Sequence, residues 1–188
     1  MDAPLVRPRH SYEDLLASPR GRQCELFDGE LFESPVPTLP HQRAAQRLAR
    51  AFEEALRDGS RVVSSPVDVI LAGDTVARPD LLLILADHLG IVGEAGAAGA
   101  AVHGAPDLIL EILSAATVRL DRVIKMDAYA RYSVPEYWLV DCSAKLIEIF
   151  RLDRHAQLYR LTETCSPGDR ARTPLVPGLA LEVGRLFG

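Results

Sequence analysis

The run APDLILEILSAATVRLDRVIKMDAYARYSVPEYWLVD, residues 105–141, puts acids and one lysine where the chain is most apolar. Asp107 and Glu111 fall in a strand-like stretch otherwise built from Leu and Ile, and Asp121 and Lys125 stand one turn apart on the helix that follows. Upstream, Arg78-Pro79-Asp80-Leu81 opens another apolar run with the same Pro-Asp-Leu sequence. An isolated charge in a core costs many kcal/mol, so acids placed there must be paired, share a cation or take up protons. Side chains alternate along a strand, which puts Asp107, Ile109, Glu111 and Leu113 on one face and Leu108, Leu110 and Ile112 on the other. If the strand after Asp80 pairs beside this one, the carboxylates of Asp80 and Glu111 converge within reach of one cation, about 4–6 Å apart. Mg²⁺ or Mn²⁺, held by one or two carboxylates plus water and phosphate oxygens, suits such a pair. Lys125 lies in a row with Asp121 and Tyr129, at i, i+4 spacing. It can lie over Glu111 and offer a compact positive charge to a developing phosphoryl charge or an attacking water.

Each of these residues also has a plainer reading. Asp121 and Lys125 fit an ordinary surface ion pair on a helix. Asp80 and Asp107 each follow a proline at a strand entrance, where a carboxylate can bond backbone amides; Asp107 reads as structural. His41 reads as a helix-start residue satisfied by backbone, and Arg43, Arg47, Arg50 and Arg57 as a solvated face. No role is evident for Glu30. Glu111 is the hardest to explain away, because it sits mid-strand between Ile109, Leu110, Ile112 and Leu113.

The surrounding pattern supplies elements to position these groups. Ser11-Tyr12-Glu13-Asp14 resembles a capping box. CELF and ELFES flank Asp28-Gly29, a two-residue hairpin signal. His41 to Arg57 has helical period, with Ala44, Ala45, Leu48, Ala51, Phe52 and Ala55 as its buried stripe. Val62–Leu71 and Val76–Leu85 read as paired strands joined at Gly73-Asp74, and Asp107–Leu113 as a further strand. Thr117–Tyr132 reads as a helix stopped before Pro135. Tyr137–Asp141, Leu146–Leu152 and a short strand near Leu158 form a closing meander. The Gly/Ala-rich segment Gly90–Gly104 reads as a surface connection. The outcome is an α/β fold, a mixed sheet with helices packed on it.

With 188 residues, 48% of them apolar and 25% charged, the chain fits one globular domain. A net charge of −5 argues against a nonspecific nucleic-acid coat but not against a local basic face. Of 21 basic residues only Lys125 and Lys145 are lysines, so the lysine over Glu111 is an unusual choice for this chain. Cys24, Cys142 and Cys165 are odd in number and far apart, which disfavours disulfides or zinc and fits a reducing cytoplasm. The start, MDAPLVRPRH, lacks the apolar region of a leader, and no run approaches the roughly 18 apolar residues of a membrane span.

Taken together, several segments resemble a restriction-endonuclease family of the PD-(D/E)XK nuclease superfamily. They are Pro79-Asp80-Leu81, the Pro106–Ser114 strand, Thr117, Asp121, Lys125, Tyr129, and Val134-Pro135-Glu136-Tyr137-Trp138-Leu139-Val140-Asp141. The Glu25–Leu31 hairpin and the His41 helix start resemble its N-terminal part, so the likeness covers about 12–152 of a single 1–188 domain that continues in C-terminal strands. The resemblance implies a restriction-endonuclease-like mixed β-sheet flanked by helices. It also implies a Mg²⁺-dependent endonuclease acting on DNA, with Asp80 and Glu111 as metal ligands and Asp80, Glu111 and Lys125 as catalytic residues. The chain departs from the usual motif where the lysine stands two residues after the acid. That position is Leu113, and the lysine function moves to Lys125 on the next helix. Ala115-Ala116 and Ser133 also depart, without removing a functional group. A homodimer is expected, since two phosphodiester strands suit two sites about a two-fold axis. The alternatives are a non-catalytic dimeric relative that binds nucleic acid or another partner, and a hydrolase of small phosphoesters.

Overall fold

The structure, a computed structural model, describes residues 9–19, 21–93 and 101–188. Residues 1–8 of the amino-terminal stretch and 94–100 of the Gly/Ala-rich segment lie outside the described residues. Ser11 caps α1 (Tyr12–Ala17): its hydroxyl accepts from the Asp14 amide, and the Asp14 carboxylate accepts from the Ser11 amide. Asp28 and Gly29 both take positive φ, 50° and 76°, as a two-residue hairpin turn needs. They join β1 (Cys24–Phe27) to β2 (Glu30–Glu33). Thr38 then caps α2 (Leu39–Ala55), which buries Ala44, Leu48 and Phe52.

The two long strands expected next are each broken in two, giving β3 (Arg61–Ser64), β4 (Asp68–Ala72), β5 (Thr75–Ala77) and β6 (Leu81–Ile84). Pro66 and Pro79 stand at the breaks, and proline has no N–H to continue a ladder. The inner pieces, β4 and β5, pair as a hairpin around Gly73-Asp74, while the outer pieces, β3 and β6, pair in a different sheet. The end of the Gly/Ala-rich segment is not a bare connection: β7 (Ala101–His103) runs parallel to β4. β8 (Leu108–Leu113) follows. The expected Thr117–Tyr132 helix is a wide π-helical segment, Leu120–Lys125, running into α3 (Met126–Arg131).

The meander comprises β9 (Glu136–Asp141), β10 (Leu146–Asp153) and β11 (Leu158–Cys165), the last a full 8 residues rather than a short strand. A hairpin of β12 (Arg170–Thr173) and β13 (Val176–Glu182) follows. The described chain ends in a helix, α4 (Val183–Phe187), where strands were expected.

Six strands in the order β11-β10-β9-β8-β6-β3 form the central mixed sheet, with β8 and β9 parallel and the other pairs antiparallel. Five strands, β2-β1-β5-β4-β7, form a second. The alternation read along β8 sorts its side chains into two cores. Leu108, Leu110 and Ile112 pack with Ala44, Leu48 and Phe52 of α2, Trp138 and the β12-β13 hairpin. Ile109 packs on the other side with Ala128 and Tyr129 of α3, Tyr137 and residues of the five-stranded sheet. Phe52 meets the Trp138 ring edge-on, 5.7 Å between centroids. Among the described residues no helix is long and apolar enough to cross a membrane.

Candidate active site

Glu111 faces the second core, and the polar row of the π-helical segment closes over it. Lys125 Nζ donates to Glu111 Oε1 at 2.9 Å, and the Tyr129 hydroxyl donates to the same oxygen at 2.8 Å. The expected reach of Lys125 back across the sheet is therefore present, and the surface ion-pair reading is excluded by burial: Lys125 is 3% exposed. Its pairing with Asp121, 3.5 Å away, is one contact of three. The other, not foreseen, is Glu25 on β1, whose Oε1 lies 3.0 Å from Lys125 Nζ. The wide winding of Leu120–Lys125 bears on this convergence, since π-helical turns re-aim side chains and occur often at functional sites.

Glu25 carries the same signal as Glu111, an acid inside an apolar strand, which the hairpin pattern of CELF masks. The strand is buried at all four positions. Glu25 Oε1 also accepts the Arg78 amide at 2.6 Å, and Oε2 accepts from the Ser34 hydroxyl. The Arg78 guanidinium in turn pairs with Asp68 and donates to the Cys24 carbonyl, which fixes the Arg78-Pro79-Asp80 corner against β1.

Asp80 stands just before β6. Leu81 opposite Leu110 sets the register, so the next step brings Asp80 alongside Glu111. Its Oδ2 accepts the Ile112 amide at 2.7 Å, taking up an N–H that β6 no longer reaches. Its Oδ1 lies 2.8 Å from His41 Nε2. His41 is thus not satisfied by backbone alone, as expected from sequence: its ring reaches across 39 residues of chain to the candidate metal ligand. Asp107 matches its structural reading, its carboxylate accepting from the Leu85 amide at 2.8 Å and meeting His88 Nδ1 at 2.6 Å. Asp107→Ala is accordingly expected to cost about 1 kcal/mol in urea unfolding, by removing the partner of a half-buried amide, and to leave any metal-dependent cleavage in place.

The electrostatics are those of a buried cluster in which acids outnumber the one ammonium. Glu111, Glu25 and Asp121 surround one ammonium, and the Asp80 charge acts on Glu111. Burial pushes the Glu111 carboxyl well above its usual range; Lys125 pulls it down, and Asp121, Asp80 and Glu25 push it up again. Asp121 is raised by burial too, against the pull of Lys125 and a hydrogen bond with Thr117. For Lys125 burial acts to lower the pKa, but Glu111, Glu25 and Asp121 outweigh it and hold the group protonated well above the ordinary lysine value. Tyr129 is held protonated by burial and by the Glu111 charge, so it stays a donor.

The donor set fits a hard divalent ion. Glu111 Oε1 takes two hydrogen bonds, while none to its Oε2 comes from the described residues. No three His, Cys, Asp or Glu side chains among the described residues are grouped as ligands of one ion. Mg²⁺ needs only one or two carboxylates, with water and substrate oxygens filling its other positions.

The mixed sheet flanked by helices is a restriction-endonuclease-like fold. The chain belongs to the Uma2 family, described as "Putative restriction endonuclease", which matches residues 10–184. The fold is shared with the crystal structure of a "putative nuclease belonging to DUF820" from Anabaena variabilis, at TM-score 0.74 and 17% identity, over 95% of this chain and 97% of that one. No curated protein matches the chain.

Proposed function

We propose that this protein is an endonuclease that hydrolyses DNA phosphodiester bonds with Mg²⁺ or Mn²⁺, using Asp80, Glu111 and Lys125. The observation that carries the reading is the surplus of buried carboxylate around one ammonium, a charge balance that a divalent cation would complete. Asp80 and Glu111 are the residues that would hold the metal. When bound it would polarise the phosphoryl oxygen and make water a better nucleophile.

The protein's own groups have separable tasks. Tyr129 and Lys125 fix Glu111 Oε1 and so aim Oε2. The Ile112 amide and His41 fix Asp80. Lys125 is the charge available to the phosphoryl oxygens or to the attacking water, and Glu25 and Asp121 keep it protonated and in place. One domain spanning 1–188 suffices for this. Three free cysteines suit a reducing cytoplasm. Plasmid nicking assayed with Mg²⁺ and with Mn²⁺ should show cleavage that EDTA and Glu111→Ala both abolish. Cleavage persisting in Glu111→Ala would remove this site from the reaction.

One feature favours a second reading, a non-catalytic relative that keeps the fold and binds. Lys125 already satisfies part of the charge that a metal would, and no three-ligand group surrounds the acids among the described residues. Duplex binding without cleavage in either metal is the result this reading expects.

Association is proposed as a homodimer. β11 lies at the edge of the central sheet and exposes Leu158 and Leu161, 61% and 52% accessible. A strand edge with apolar side chains favours pairing with another copy. Sedimentation at micromolar concentration should give twice the chain mass, and a monomer would count against the assignment.

A further inference from the structure

On the opposite side of the central sheet from Lys125, α2 carries a feature that the cleavage chemistry does not use. A cleft of about 250 Å³ opens between α2 and α4, lined by Pro40, Arg43, Arg47, Cys142, Leu186 and Phe187. It adjoins the candidate active site. Pro40 precedes His41, whose ring touches Asp80. Cys142 follows Asp141 at the end of β9, where the Asp80 charge is one of the influences raising its thiol, after burial and Asp141.

The two arginines differ in their engagement. Arg47 Nη1 donates to the Leu186 carbonyl at 2.9 Å, which pins its guanidinium to the wall. Arg43 is exposed, and no carboxylate among the described residues pairs with it, whereas Arg50, further along the same helix, is bonded to Glu54. Residues i and i+4 on a helix sit one above the other, so both cations border one opening. An open forked cation beside a fixed one, over an apolar floor, is suited to a phosphodiester: the guanidinium takes the anionic oxygens and the floor meets the sugar.

We propose that the Arg43–Arg47 cleft is a phosphate-binding subsite that seats a backbone phosphodiester of the nucleic-acid strand adjacent to the one at Asp80 and Glu111. This rests on the nucleic-acid reading above but not on cleavage. The cleft explains how an acidic chain holds a polyanion next to a carboxylate cluster: positive charge is local to one helix face, and the acids lie on the far side of the sheet edge. Each phosphate neutralised by a side chain adds about 0.9 to the slope of log affinity against log salt on B-form DNA.

The test is fluorescence anisotropy of a labelled duplex with EDTA present, which keeps binding separate from cutting. Arg43→Ala is expected to weaken binding roughly ten-fold at low salt and to reduce the salt slope by about one. Arg43→Lys should restore part of the affinity, and Arg154→Ala, on an exposed turn, should change neither quantity. Arg43→Ala lies on a solvent-facing helix position, so circular dichroism should show an intact fold. Wild-type binding that is unchanged in Arg43→Ala would overturn the subsite while leaving the nuclease reading intact. Arg43-dependent binding without cleavage in Mg²⁺ or Mn²⁺ would support the subsite and sink the nuclease reading. Absence of duplex binding, or Arg43-dependent binding of a nucleoside monophosphate alone, would overturn the polynucleotide subsite.

Discussion

Lys125→Met should destabilise the metal-free protein by about 3–5 kcal/mol at pH 8 and abolish metal-dependent cleavage. Methionine fills nearly the same volume, so packing is not the main loss. What disappears is the one ammonium bonded to Glu111 and Glu25 and close to Asp121. Burial already raises Glu111 and Asp121 above their ordinary values of 4.5 and 3.8, and without the cation both rise further. The folded state then binds more protons than the unfolded chain in the interval above those values, so stability falls as pH rises through it and returns on acidification. Urea unfolding at pH 5 and pH 8 should therefore show a much smaller penalty at the lower pH. An equal penalty at both would mean that Lys125 acts by packing rather than by charge. Lys125→Arg separates the two roles. It keeps a cation and most of the fold, but a planar fork cannot replace a compact ammonium beside Glu111, so most cleavage should be lost. Lys145→Arg, in the turn before β10, should change little.

The contrast between Lys125 and Glu25 shows what the sequence could reveal. Lys125 was legible because two local signals agreed, its spacing from Asp121 and Tyr129 and its rarity in an arginine-rich chain, and because the family resemblance, with Leu113 at the motif's lysine position, pointed to the same helix. Glu111 was legible because period-two alternation fixed its face, and the two cores on either side of β8 follow that alternation. Glu25 shows itself in sequence only as an acid in an apolar strand, and His41 only as a helix-start residue; that β1 packs against Lys125 and the start of α2 against Asp80 is tertiary pairing that no local period encodes. The strand breaks at Pro66 and Pro79 are visible as residues, but their β-branched and leucine-rich flanks have the pattern of continuous strands. The break at Pro79 matters to the site, because it frees Asp80 from the ladder and lets it accept the Ile112 amide. The π-helical winding of Leu120–Lys125 left no mark in the pattern, since i, i+4 spacing fits both windings over so short a segment.

The Glu111→Gln variant should lose at least about a hundred-fold in cleavage while its metal-free fold is no less stable at pH 8 than the parent. Glutamine keeps an oxygen for Lys125 Nζ and the Tyr129 hydroxyl, so both hydrogen bonds to the side chain can persist. It removes one negative charge from a group in which three carboxylates surround one ammonium, and burial raises the pKa of that carboxyl well above its usual range. A side chain whose ionised form is held against its own desolvation and against Asp121, Asp80 and Glu25 marks a site shaped for something other than the stability of the empty fold. The same logic sets the metal response. Mn²⁺ at about a hundred times its dissociation constant should stabilise the parent by about 2.7 kcal/mol. The gain should shrink at low pH, where Glu111 holds a proton that the ion must displace. In Glu111→Gln the response should nearly vanish at every pH. Thermal unfolding with and without Mn²⁺ at pH 6 and pH 8 reads all of these at once. Undiminished Mn²⁺ stabilisation of Glu111→Gln would show that the ion binds elsewhere, and Glu111 would then be only the buried counter-charge of Lys125.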